Sequence, residues 1–121
     1  MKLAIIGSRS ITNKAIIWNI IDRYQFTTLI SGGAKGVDSI AEEYAATNNK
    51  DIIIHRPDYS LYGSPMAQFI RNSKIIEESN MVLAIHDGKS TGTQDSMNKT
   101  LALRRAMDVW LVTKNIMYSI I

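Results

Sequence analysis

The sequence of 121 residues contains no cysteine, which removes disulfide frameworks, zinc-thiolate sites, iron–sulfur clusters and thiol nucleophiles from consideration. It lacks a long hydrophobic run as well. The apolar stretch at the amino terminus stops at Gly7, too short for a signal-peptide core or a membrane span. A soluble protein of a reducing compartment is the expectation, cytoplasmic and without a membrane partner. Lysines and arginines never form a block of five or six, so the net charge of +3 does not by itself point to nucleic acid. Plain solubility explains that charge as well as an anionic ligand does. The two histidines, His55 and His86, show no second-ligand spacing, and neither a metal nor a cofactor is expected. What is present is ordinary globular usage, 45% hydrophobic and 21% charged, which argues against disorder. The length suits one domain over residues 1–121, with no room for a separate substrate domain.

Five apolar runs bounded by turn residues stand at Leu3–Ile6, Thr28–Ser31, Asp51–His55, Met81–Ile85 and Val109–Thr113. They are largely β-branched and continuously apolar, as strands buried on both faces of a parallel sheet are. Between them lie segments of helical periodicity near Asn13–Tyr24, Val37–Asn48, Pro65–Glu78 and Thr93–Ala106. Ile16, Ile17, Ile20 and Ile21 share one face of the first, and Ile40, Tyr44 and Ala45 one face of the second. Helix starts are signalled by Thr12, by Asp38 in a first turn, and by Ser64-Pro65. Repeated βαβ units with right-handed crossovers predict a single α/β, Rossmann-like three-layer sandwich with a parallel sheet in the order 3-2-1-4-5. Trp18 and Trp110 are expected in the core. The apolar tail Lys114–Ile121 suits either a sixth strand or a subunit contact.

In such a sheet, ligands bind outside the carboxyl ends of the strands, where strand order reverses. The loops there are Gly7-Ser8-Arg9-Ser10, Ser31-Gly32-Gly33-Ala34-Lys35-Gly36-Val37-Asp38 and His86-Asp87-Gly88-Lys89-Ser90-Thr91-Gly92-Thr93. Any one of them reads as a tight strand-to-helix turn. Three together, with Arg9, Lys35, Lys89 and several hydroxyls, point to a phosphate site fed by backbone N–H groups and helix amino termini. Two familiar motifs fail. Gly88-Lys89-Ser90 resembles the end of a Walker A loop, but Leu83 stands where its first glycine belongs. The run at Gly32, Gly33 and Gly36 has Ser31 in place of the first dinucleotide-fingerprint glycine, and the next strand ends in His55-Arg56 rather than a ribose-binding acid, which speaks against NAD-type hydride chemistry. Tyr59 and Tyr62 are placed either to stack on a base or to pack their own loop.

Gly7-Ser8-Arg9, Ser31-Gly32-Gly33-Ala34-x-Gly36-Val37-Asp38-x-x-Ala41, Arg71-Asn72 and Asp87-Gly88-x-Ser90-x-Gly92-Thr93, in that order, resemble the SLOG superfamily. These are Rossmann-like proteins that include the Lonely Guy phosphoribohydrolases and the DNA-processing protein A family. The likeness is strongest to short members common in bacteria and phages. It implies a nucleotide-derived ligand with phosphate near Gly32-Gly33 and Gly92-Thr93 and with Arg71 pointing into the crevice. The ligand-binding set is then Gly7, Ser8, Arg9, Ser31, Gly32, Gly33, Ala34, Lys35, Asp38, Arg71, Asn72, Asp87, Gly88, Ser90, Thr91, Gly92 and Thr93.

Lonely Guy enzymes pair an arginine with a glutamate three residues after the Gly-Thr pair. Arg71 matches the arginine, but the glutamate position is Ser96, and Asp95 lies one residue, about 100° of helix, away. Asp38 is the other candidate acid, although its position also suits a helix-terminus carboxylate. Catalytic candidates are therefore Arg71, Asp38 and Asp95, without a complete set. The leading expectation is a sensor or sequestering protein for a nucleotide-derived signal, such as an ADP-ribose derivative or a cyclic nucleotide, in bacterial defence or phage counter-defence. The alternatives are an N-glycosidase or phosphohydrolase acting on a nucleoside monophosphate, and single-stranded nucleic-acid binding. Relatives of this kind commonly dimerise, and the apolar stretch Trp110–Ile121 suits a homo-oligomer.

Overall fold

Runs of isoleucine, valine and leucine with little side-chain freedom pair as strands, and alternate residues of each run feed opposite layers. In the computed structural model, which describes residues 1–114 and 116–120, the strands are β1 (Lys2–Gly7), β2 (Thr28–Ser31), β3 (Asp51–Ile54), β4 (Met81–His86), β5 (Ala106–Thr113) and β6 (Ile116–Ser119). The helices are α1 (Lys14–Ile21), α2 (Val37–Thr47), α3 (Tyr59–Tyr62), α4 (Met66–Glu78) and α5 (Thr91–Ala102). The strands form one sheet in the order β3-β2-β1-β4-β5-β6. The first five are parallel, as expected, while β6 runs antiparallel to β5.

Leu3, Ile5, Leu29, Leu83 and Ile85 face a core closed by Ile17, Ile20 and Ile21 of α1 and Val37, Ala41 and Ala45 of α2. Ala4, Ile6, Ile30, Val82 and Ala84 face a second core, closed by Ile75 and Ile76 of α4 with Met97 of α5 beside them. The result is the three-layer sandwich. The chain leaves β1 for β2 on one side and returns after β3 to β4 on the other, so the connections diverge at the carboxyl ends of β1 and β4. That divergence opens the crevice.

The differences from expectation have local causes. Asn13, not Thr12, caps α1, because its side chain accepts the Ile16 amide at 3.2 Å. Pro65 is itself the N-cap of α4, and the short α3 precedes it under an Asp58 cap. α5 begins two residues earlier than expected, since the Ser90 hydroxyl accepts the Thr93 amide, and it ends at Ala102, with Arg104 at φ 54 turning the chain into β5. On β3, at the sheet edge, one face stays open: Ile52 and Ile54 are 36% and 38% exposed. Trp110 is buried and Trp18 packs half-buried against the same core. The tail resolves toward the sixth strand, with Leu111 opposite Tyr118 and Val112 opposite Met117. Asn115 and Ile121 lie outside the described residues.

Candidate functional site

The crevice is shaped first by close packing. A Cβ on Gly7 would stand 2.6 Å from the Val37 side chain, and one on Gly36 would stand 2.5 Å from the Arg9 carbonyl oxygen. The loop after β1 therefore rests directly on the start of α2. Gly36 also holds φ 72 with ψ −124, a conformation that residues with a side chain avoid. On the other side, the Ser8 hydroxyl accepts the Asp87 amide at 3.0 Å, tying the same loop to the end of β4. Between these ties, at the carboxyl edge of β1 and β4 and roofed by α4 and α5, is a cleft of about 830 Å³.

One wall is a chain of polar contacts centred on Arg71. Its Nη1 donates to the Gly32 carbonyl at 2.7 Å and its Nε to Asn72 Oδ1 at 2.8 Å. The Asn72 amide nitrogen donates in turn to Asp95 at 3.3 Å, and Lys99 Nζ reaches the same Asp95 oxygen at 2.5 Å. Gly32 makes this possible, since a Cβ there would lie 2.7 Å from the guanidinium. Burial lowers the pKa of Arg71, opposed by the nearby Asp38 carboxylate; guanidinium basicity leaves it charged.

Asp38 sits below that wall, 8% exposed, with Oδ2 accepting the Ala34 amide at 3.1 Å. Burial pushes it up to about 6, against the Ala34 N–H and the Arg71 charge. Asp87 has the opposite balance. Burial raises it, but the Ser10 hydroxyl at 2.6 Å and the Lys89 and Ser90 amides at 2.8 Å together hold it well below the usual carboxylate range. Two of the three glycine-bearing loops thus direct N–H groups at a carboxylate of the chain itself.

What remains open is the amino end of α5. A Cβ on Gly92 would meet nothing within 4 Å. The first-turn amides of Thr91 and Gly92 have no intrahelical acceptor, and the helix dipole adds positive potential there. Arg9 and Lys89 line the same cleft, and neither makes an ion pair among the described residues.

The family model of the YspA, cpYpsA-related SLOG family matches residues 1–62. The chain belongs to that family. A solved structure of similar fold is DNA processing protein A from Streptococcus pneumoniae, with a TM-score of 0.70 at 16% identity. The alignment covers 89% of this chain and 49% of that one, so the chain spans about half the length of that structure. No curated protein matches the sequence.

Of the residues expected to bind ligand, this SLOG chain brings Gly7, Arg9, Gly32, Ala34, Asp38, Arg71, Asn72, Asp87 and Ser90 through Thr93 to the cleft. It sends others elsewhere. Ser8 is buried behind the loop, and the Ser31 hydroxyl donates to Glu42 at 2.6 Å. Gly33 lies under Arg56, which donates to its carbonyl at 3.3 Å, and Lys35 is exposed away from the cleft. Gly88, at φ 87, turns the chain beside Leu111. Asp95 and Ser96 both line the cleft. Pro65, Gln68 and Phe69 line it too, and sequence reasoning passed over them. The positions 65, 68, 69 and 72 follow the spacing of one helix face, so Asn72 alone could have indicated them. His86 is buried with Nδ1 accepting the Gly88 amide at 2.8 Å, which leaves that nitrogen unprotonated and unable to donate to Asp87. His55 contacts Glu78, outside the cleft. Among the described residues there is no cluster of metal-ligating side chains and no helix long and apolar enough to cross a membrane.

Proposed function

We propose that this protein binds a phosphate-bearing, nucleotide-derived ligand in the β1–β4 cleft and acts as a sensor or a sequestering protein. Membership of the SLOG family and the fold support a nucleotide- or nucleic-acid-related role. The observation that carries the narrower reading is the pairing of Arg9 and Lys89, two cations that make no ion pair among the described residues, with the open amino end of α5 at Gly92. A phosphate seated there gains the first-turn amides, the helix dipole and two guanidinium or ammonium partners, with Arg71 behind. Asp38, raised to about 6, leaves less negative charge in the cleft at mildly acid pH than a free carboxylate would.

Native mass spectrometry of the purified protein, followed by release and identification of any bound molecule, is the first test. The expected result is an intact nucleotide derivative, and titration calorimetry with it should show at least a tenfold weaker affinity for Arg9→Ala. No complex and no heat across a nucleotide panel would overturn the reading.

A second reading, hydrolysis of a nucleoside monophosphate, draws on Asp38: a carboxyl pushed up to about 6 beside a guanidinium is suited to acid–base work. It requires base and ribose phosphate on chromatography, lost in Arg71→Ala. If instead single-stranded nucleic acid is the partner, affinity must fall steeply with rising salt.

A further inference from the structure

A second hollow of about 820 Å³ lies beside the first. Thr12 beyond β1 and Val112, Thr113 and Lys114 at the end of β5 line it, over the buried Ile11. Three residues line both hollows: Ser10, Asp87 and Lys89. The 2.6 Å hydrogen bond from Ser10 to Asp87 is therefore the ridge between them. Lys89 is fixed on that ridge by its own amide, which donates to Asp87 at 2.8 Å, while its ammonium group makes no ion pair among the described residues.

The geometry follows from strand order. The first hollow lies over the divergence of β1 and β4; the second continues past β4 to the end of β5, the next strand of the sheet. Each is of a size that takes one nucleoside-sized group with room to spare, since small-molecule sites run from about 300 to 1,000 Å³. A mononucleotide would occupy one and leave the other to solvent. The Asp87 oxygens on the ridge are engaged by the Ser10 hydroxyl and the Lys89 and Ser90 amides. Lys89 lines both hollows, so a phosphate crossing there has a cationic side chain beside the ridge.

Building on the phosphate-binding reading above, we propose that the ligand is two-headed: two nucleoside groups joined through phosphate, one in each hollow, with the phosphate bridge crossing the Ser10–Asp87 ridge under Lys89. Thr12 and Thr113, which line the second hollow, carry hydroxyls that suit a ribose.

AMP and diadenosine diphosphate separate the possibilities, because one is half of the other. Calorimetric titration of the unaltered protein should give at least tenfold tighter binding of diadenosine diphosphate than of AMP. In Thr113→Trp, which fills the second hollow from the end of β5, that advantage should vanish while AMP affinity stays as it was. AMP binding also reports that the variant is folded; should it be lost, Thr12→Trp on the exposed loop makes the same test. AMP binding with no gain for the two-headed compound overturns the proposal and leaves the phosphate site standing. An advantage that survives both tryptophan variants overturns it as well. If neither compound binds, the phosphate-site reading fails and this proposal fails with it.

Discussion

Replacing Asp38 by asparagine keeps its shape and its capacity to accept the Ala34 amide but removes the ability to ionise. Burial raises the Asp38 pKa from 3.8 to about 6 in the folded chain. A difference of about two pH units between folded and unfolded states corresponds to about 3 kcal/mol. The sign follows from proton counting. Between the two values the folded chain holds a proton that the unfolded chain has released, so stability from this group is present below 3.8 and lost as pH rises through about 6. The asparagine variant has no such loss. Urea unfolding of both proteins at pH 4, 5, 6 and 7 should show Asp38→Asn gaining on the parent as pH rises, with most of the ~3 kcal/mol developing inside that window and a plateau above it. A difference independent of pH would refute the reasoning. So would a parent chain that gains on the variant with rising pH, since Arg71 and the Ala34 amide would then outweigh burial and hold the carboxylate ionised.

The glycines give a contrasting pair. Gly36→Ala places a Cβ 2.5 Å from the Arg9 carbonyl oxygen at φ 72, and a loss of about 3 kcal/mol is expected in thermal or urea unfolding. Gly92→Ala meets nothing within 4 Å; stability should change by no more than about 1 kcal/mol while affinity for a phosphate-bearing ligand drops, and unchanged affinity would remove Gly92 from the site. Tyr24 donates to Asp108 at 2.6 Å and accepts from the Trp110 ring nitrogen at 3.0 Å, so Tyr24→Phe should cost about 1–3 kcal/mol with ligand binding intact. Asp87 contributes with the opposite sign to Asp38: its pKa is depressed, so its stabilisation is present above 3.8 and is lost as pH falls toward its folded value. Acid unfolding of Asp87→Asn should accordingly be less steep than that of the parent below pH 4, which circular dichroism in an acid titration reads directly.

The strands and their order were legible because each parallel strand, covered by helices on both faces, is written as an unbroken apolar run. Leu3–Ile6 and Met81–Ile85 needed no partner information to be read. The boundaries were less legible, for they turn on single hydrogen bonds: Asn13 rather than Thr12, and the Ser90 cap that starts α5 at Thr91, two residues ahead of expectation. The short α3 carries too few residues for a periodic signal. In the site, sequence reasoning found the loops but not the use of each residue. Ser8 and Ser31 carry the hydroxyls that a phosphate loop carries, yet Ser8 braces Asp87 and Ser31 binds Glu42. Gly7 and Gly36 are glycines for a packing reason that involves a residue thirty positions away in one case and loop backbone in the other. Such roles depend on which elements meet in space, and local pattern does not carry that information.

A consequence for anion recognition follows from the carboxylates. A glycine-rich turn whose N–H groups converge will bind an anion, and in this fold Asp38 and Asp87 are the anions that two of the turns bind. Internal occupation of this kind orders the loops before any ligand arrives, so the entropy of arranging them is not charged against binding. It also takes the Ala34, Lys89 and Ser90 amides out of use as phosphate donors, because each already donates to a carboxylate of the chain. On the proposed reading the phosphate then goes to the α5 amino end, where Gly92 is open and Arg9 and Lys89 line the same cleft. Asp38→Ala frees the Ala34 amide and removes charge beside Arg71, so it should create a second anion seat where the parent has none. Phosphate titrations followed by amide shifts in NMR would then show Ala34 and Gly32 responding in the variant only, and Thr91 and Gly92 responding in both proteins. A response at Gly32 and Ala34 in the parent would mean that Asp38 yields to phosphate, and that the loop after β2 is the seat after all.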